Sequence, residues 1–163
     1  QADSEEFLEI AGRMIGDRIR THFITGATIV PIPSSWVVDS RNTSFRTKKL
    51  AEVASLTAHC GLSPCLSFVS QQTPTHKGGT RDPNKLESLF AVRPPAPAGK
   101  VILLDDVTTS GAHLKAAYWK LRSLGCTVAG AVCFARATRE QEEDPTSDKT
   151  VYVSLSKVFL PAF

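Results

Sequence analysis

At 163 residues, with 42% hydrophobic content, the chain is long enough for one domain with a real core and too short for two. Lysine and arginine outnumber aspartate and glutamate by 19 to 16, but in scattered groups, so a nucleic-acid footprint has only weak support and a phosphorylated small molecule suits the charge equally well. No stretch approaches the roughly 18 apolar residues of a membrane span, and the acidic start QADSEEFLEI is unlike a signal peptide, so a cytoplasmic protein without membrane contact is expected. The start at Gln1 rather than methionine suggests a segment of a longer protein.

In chain order, Asp3 and Glu6 resemble a capping box. Phe7, Ile10, Met14, Ile15 and Ile19 follow helical spacing, which predicts an amphipathic helix over 4–22. GATIVPIP reads as a short buried strand ended by Pro31 and Pro33, and SFRTKKLAEVASLTAHCG as a helix closed by Gly61. CLSFV is a second strand candidate. SQQTPTHKGGTRDPNK has glycine, proline and charge without periodicity, which predicts a long mobile loop of the kind that serves as a lid. A strand at 100–105 follows, then a helix to Leu124 capped by Gly125, the strand TVAGAVCFA, a polar loop through Asp148, and TVYVSL. Strands alternating with helices predict an α/β fold with three α/β/α layers, a mainly parallel sheet of about five strands and helices on both faces, in a single domain over 1–163. Cys60, Cys65, Cys126 and Cys133 form no CxxC pair, so buried reduced thiols are expected rather than zinc ligands.

The stretch VILLDDVTTSGAHL, residues 101–114, carries the chemistry. An apolar strand meets a helix start across two acids, three hydroxyls and Gly111. Open α/β sheets bind ligands at such a turn, and free amides with a helix dipole suit a phosphate monoester. Asp105 and Asp106 would repel phosphate, but carboxylates accept hydrogen bonds from the vicinal hydroxyls of a ribose. The combination points to a sugar phosphate.

The same stretch resembles the phosphoribosyl pyrophosphate (PRPP) motif of type I phosphoribosyltransferases. The order IVPIPSS, Arg41, Phe45, a helix, a loop and LFAVRPPAPAGKVILLDDV is similar to the ComF-like, competence-associated branch, and the likeness covers residues 29–136. It implies that Asp105 and Asp106 contact the ribose hydroxyls and Mg²⁺, and that Thr108, Thr109, Ser110, Gly111, Ala112 and His113 wrap the 5-phosphate. It further implies that Ser34, Ser35, Arg41 and Arg46 meet the pyrophosphate, although a plain turn and a solvated helix face explain these residues as well.

Lys77 and Arg81, with His76, would bring cations from the lid over 71–85, and with the two acids they form the implied catalytic set. The implied reaction is transfer of phosphoribose from PRPP to a nitrogen nucleophile, a nucleobase-like partner, and a homodimer is compatible with it. His113 stands where the family has a hydroxyl, and the cysteine-rich zinc segment that often precedes ComF-like domains is not in this sequence, which leaves open either that it was cut away or that the protein belongs to a different branch. Trp36 is placed either to stack on a base or to pack. Base recognition is expected around Arg136–Asp148 and SKVFLPAF. Three readings stay open: the transferase, a PRPP or nucleotide sensor, and a DNA-uptake protein.

Overall fold

The computed structural model describes residues 2–22, 26–74 and 78–136. Its organising element is β5 (Lys100–Thr108), which pairs in parallel with β1 (Thr28–Pro31) on one side and β6 (Thr127–Arg136) on the other. A short β2 (Gly61–Leu62) pairs in parallel with β1, giving the order β2-β1-β5-β6. Both faces of β5 are covered. Val101 and Leu103 pack with Val30 and with Leu114, Ala117 and Leu121 of α4 (Ala112–Ser123). Ile102 and Leu104 pack with Ile29 and with α1 (Ala2–His22) and α2 (Arg46–Ala58), through Ile15, Ile19, Leu50 and Ala54. A run that is apolar at every position is what a strand buried on both faces requires.

The three-layer α/β arrangement is as the sequence predicts, with four strands in the main sheet among the described residues. The fifth candidate, TVYVSL, and the base-recognition segment beyond Arg136 lie outside the described residues. Several local expectations are corrected. CLSFV does not join the main sheet: β3 (Leu66–Phe68) pairs antiparallel with β4 (Phe90–Val92) in a separate two-stranded unit. Its sheet place is taken by Gly61–Leu62. The second helix ends at His59, left-handed at φ 53°, where backbone bonds to Ser55 and Leu56 oxygens close the last turn. The expected lid is shorter, because α3 (Pro83–Leu89) begins inside it, with Asp82 accepting from the Asn84 amide and proline in the first turn.

Helix α1 buries only part of the stripe its apolar spacing suggests, Ile15 and Ile19. Ala11, Gly12, Ile15, Gly16 and Ile19 face inward, whereas Phe7, Ile10 and Met14 are exposed. The glycines explain the direction. A Cβ on Gly16 would lie 2.5 Å from the Thr57 Cβ and 2.8 Å from the Ala54 carbonyl oxygen, and one on Gly12 would lie 2.6 Å from the Val53 Cβ. Helices α1 and α2 therefore meet backbone to backbone, and the small residues must sit at the contact. Gly16→Ala gains about 1 kcal/mol in helix propensity but forces the helices apart, at about 1–3 kcal/mol or more. Urea denaturation should show net destabilisation for Gly16→Ala, while Ile10→Ala on the exposed face should stay within about 0.5 kcal/mol of the parent.

Candidate functional site

Strand β5 outruns its neighbour. Pairing with β1 ends at Pro31 and Leu104, and the Ile32 amide donates to the Leu104 oxygen at 2.8 Å. Pairing with β6 continues to Thr108 and Arg136. Asp105 and Asp106 therefore lie within the strand rather than in the turn, and the turn proper is only Thr109, Ser110 and Gly111. Successive strand side chains alternate faces. Asp105 falls on the α4 side with Val101 and Leu103, and Asp106 on the α1–α2 side with Ile102 and Leu104.

The two acids are thereby given different surroundings. Burial first, and the neighbouring Asp106 carboxylate second, push Asp105 up to about 7, against the lowering effect of the Asp106 amide that donates to its Oδ1 at 3.0 Å. Asp106 Oδ1 accepts from the Val107 amide at 2.7 Å, and its Oδ2 lies 3.6 Å from Arg46 Nε. Arg46 also lies over the Phe7 ring, 5.7 Å from its centroid, and Phe7 meets Phe134 edge-on. With more than half of the Arg46 side chain exposed, the pair contributes at most about 1 kcal/mol. Its main effect is to place a cation beside Asp106.

At the turn, Gly111 adopts φ 71°, a left-handed conformation that glycine reaches without a Cβ penalty, and α4 begins at the next residue. Among the described residues, the amides of Thr109, Ser110 and Gly111 donate to no backbone acceptor, nor does any side chain cap the helix. Amides left open at a helix start form an anion cradle. Thr108 is buried, whereas Thr109 and Ser110 are exposed. The His113 ring packs edge-on to Phe68, which stacks on Phe90, and burial pushes its imidazole below the usual range.

The loop after β1 lies beside the same sheet end. The Ser34 oxygen accepts from Val37, the Ser35 oxygen from Gln72, and the Val37 oxygen from Phe68. The amides of Ser34 and Ser35 make no backbone hydrogen bond among the described residues. Lys48, not anticipated from sequence, donates through Nζ to the oxygens of Ser40, Arg41 and Thr43 and pins the loop. Arg93 donates to the Val38 oxygen, and Arg41 reaches away to the Arg93 oxygen. Arg46 thus stands at the diacid, and Arg41 is engaged on the β4 side. Arg81 precedes the α3 cap with no ion pair among the described residues, while His76 and Lys77 lie outside them.

Asp105 and Asp106 are oxygen donors of the kind magnesium takes, set on opposite faces of β5, and no group of three or more His, Cys, Asp or Glu that could hold a metal ion occurs among the described residues. Cys65 and Cys126 are buried and Cys60 and Cys133 half-buried, with no disulfide among the described residues. No helix among the described residues is long and apolar enough to cross a membrane.

No protein-family model and no curated protein matches the chain. Among solved structures, an adenine phosphoribosyltransferase superposes on 84% of this chain and 72% of its own, with TM-score 0.53 and 15% identity. An orotate phosphoribosyltransferase from Aeropyrum pernix aligns over 82% and 59%, at TM-score 0.45 and 18% identity. An adenine phosphoribosyl transferase from Trypanosoma brucei, in complex with AMP, pyrophosphate and ribose-5-phosphate, aligns over 85% and 71%, at 0.47 and 12%. The chain has the type I phosphoribosyltransferase fold. The branch-level likeness to ComF rests on the sequence motif alone.

Asp105 generates a pH prediction. Its carboxyl stands near 7 in the fold and near 3.8 when unfolded, so the folded state holds the proton more tightly. The stability this gives is fully present below about 3.8 and is lost as pH rises through about 7. Relative to the parent, Asp105→Asn should gain stability between pH 4 and 8, on the order of a few kcal/mol, measured by urea denaturation without ligand. Parallel profiles for parent and variant would contradict this.

Proposed function

We propose that the chain, acting as a single domain, binds PRPP and transfers its 5-phosphoribosyl group to a nitrogen nucleophile with release of pyrophosphate. The observation that supports this reading best is the continuity of β5, the diacid, the open amides at Thr109–Gly111 and the start of α4, within a fold of this type. In this reading the Thr108–His113 turn holds the 5-phosphate, and Asp105 and Asp106 meet the ribose hydroxyls from the two sides of β5. The amides of Ser34 and Ser35 turn toward the pyrophosphate, joined by Arg46 once it leaves Asp106, by Arg41, and by Lys77 and Arg81 of the loop before α3.

The ribose C1–oxygen bond breaks with its electron pair passing to pyrophosphate. The C1–nitrogen bond forms, and the acceptor nitrogen gives up its proton. Charge grows on pyrophosphate along this path, so cations placed there act mainly on the rate. Asp105 or Asp106 would hold Mg²⁺, directly or through water, and the ion would supply further positive charge to the leaving group.

Calorimetry with PRPP and Mg²⁺ tests the binding, and pyrophosphate release over a panel of nucleobases tests the transfer. Asp106→Asn should weaken PRPP about tenfold or more while the circular dichroism stays unchanged. Binding without release from any base replaces the transferase with a PRPP sensor. DNA binding without PRPP binding favours the competence-type reading. An Asp106→Asn variant with parental affinity overturns the assignment of the ribose site.

A further inference from the structure

We propose that Trp36 is the residue on which the planar ring of the acceptor stacks; this rests on the phosphoribosyl reading above. The side chain is not a core residue: Trp36 is 49% exposed, whereas the next residue, Val37, is fully buried. Ser35 and Trp36 are the central residues of a β-turn closed by the Val37 amide on the Ser34 oxygen, and the turn leaves Trp36 outward while Val37 is buried.

The outward position is fixed rather than loose. The Ser34 oxygen accepts from the Val37 amide at 2.9 Å, the Ser35 oxygen from the Gln72 amide at 2.7 Å, and the Val37 oxygen from the Phe68 amide at 2.9 Å. These bonds tie the Trp36 turn to the 68–72 segment, in which Val69 is 59% exposed; Val38, on the same loop as Trp36, is also exposed.

Its place follows from the sheet. Ile32 is bonded to Leu104, the residue before Asp105, and the chain runs from there through Pro33 into the Ser34–Val37 turn that carries Trp36. It directly follows Ser34 and Ser35. A rigid indole exposed at that point offers a π-face to a flat ring, and aromatic stacking on a base tolerates base identity. The chain's other tryptophan, Trp119, is half-buried on α4, with the Lys115 ammonium 4.9 Å from its ring centroid.

The test compares ribose 5-phosphate with the four common nucleoside 5′-monophosphates, which add only a base. At least one nucleotide should bind about tenfold or more tightly than ribose 5-phosphate and quench tryptophan emission. Trp36→Ala should bring that nucleotide down to the ribose 5-phosphate affinity while leaving ribose 5-phosphate within about twofold. Trp36→Phe should keep most of the increment and lose most of the quenching. If ribose 5-phosphate binds but the base increment is absent or survives Trp36→Ala, the Trp36 proposal is wrong and the phosphoribosyl reading stands. If neither ribose 5-phosphate nor PRPP binds the parent, both fall together.

Discussion

Burial of β5 on both faces is the constraint from which the rest of the molecule follows. Four consecutive apolar residues, Val101 to Leu104, split between two cores and fix the strand against helices on either side. A strand so held continues straight where its neighbour β1 stops, and its next two residues are acids. The site is therefore carried on a rigid element. Asp105 and Asp106 hold their places because the four residues before them cannot move, and the cradle at Gly111 is close because α4 packs back onto the same strand.

That rigidity has an electrostatic consequence. Extending a strand past its partner leaves Asp105 desolvated beside a second carboxylate, and its proton affinity rises. Such an arrangement costs stability in the free protein as pH rises, which is common where a site is kept ready for a ligand that supplies positive charge or hydrogen-bond donors. The loop after β1 is held by different means. Lys48 binds three carbonyl oxygens, Arg93 binds a fourth at Val38, and the Val37 side chain is fully buried. One side of the site is thus built on packing and the other on hydrogen bonds from cations and amides to the loop backbone.

What was legible in the sequence was what is local along the chain. The motif over 101–114 places strand, acids, hydroxyls and helix start within one stretch, so its order survives as geometry. Strand β3 is legible as the candidate CLSFV, but β4 and its antiparallel pairing with β3 are not, because so short a strand gives no periodic signal and the pairing is non-local. Helix α3 is too short to show a period, although Asp82 followed by Pro83 was a readable start signal. The face of α1 is legible only in part: Ile15 and Ile19 lie on it, but it also uses Gly12 and Gly16, which hydropathy does not register, and Phe7, Ile10 and Met14 point elsewhere. In the candidate site, the acids and the turn are legible by residue type. The pairing of Arg46 with Asp106, the Lys48 anchor and the outward Trp36 depend on which way side chains face, and only packing decides that.

The central claim is that the turn between β5 and α4 is an anion cradle coupled to the diacid, and amide chemical shifts measure it most directly. In a ¹⁵N-labelled sample titrated with ribose 5-phosphate, the account predicts the largest, saturable changes at the amides of Thr109, Ser110, Gly111, Ala112 and His113, with smaller ones at Asp105 and Asp106. Saturable changes centred elsewhere, such as on the groove between α1 and α2 lined by Glu5, Arg13, Lys49 and Glu52, with the turn unmoved, would contradict it.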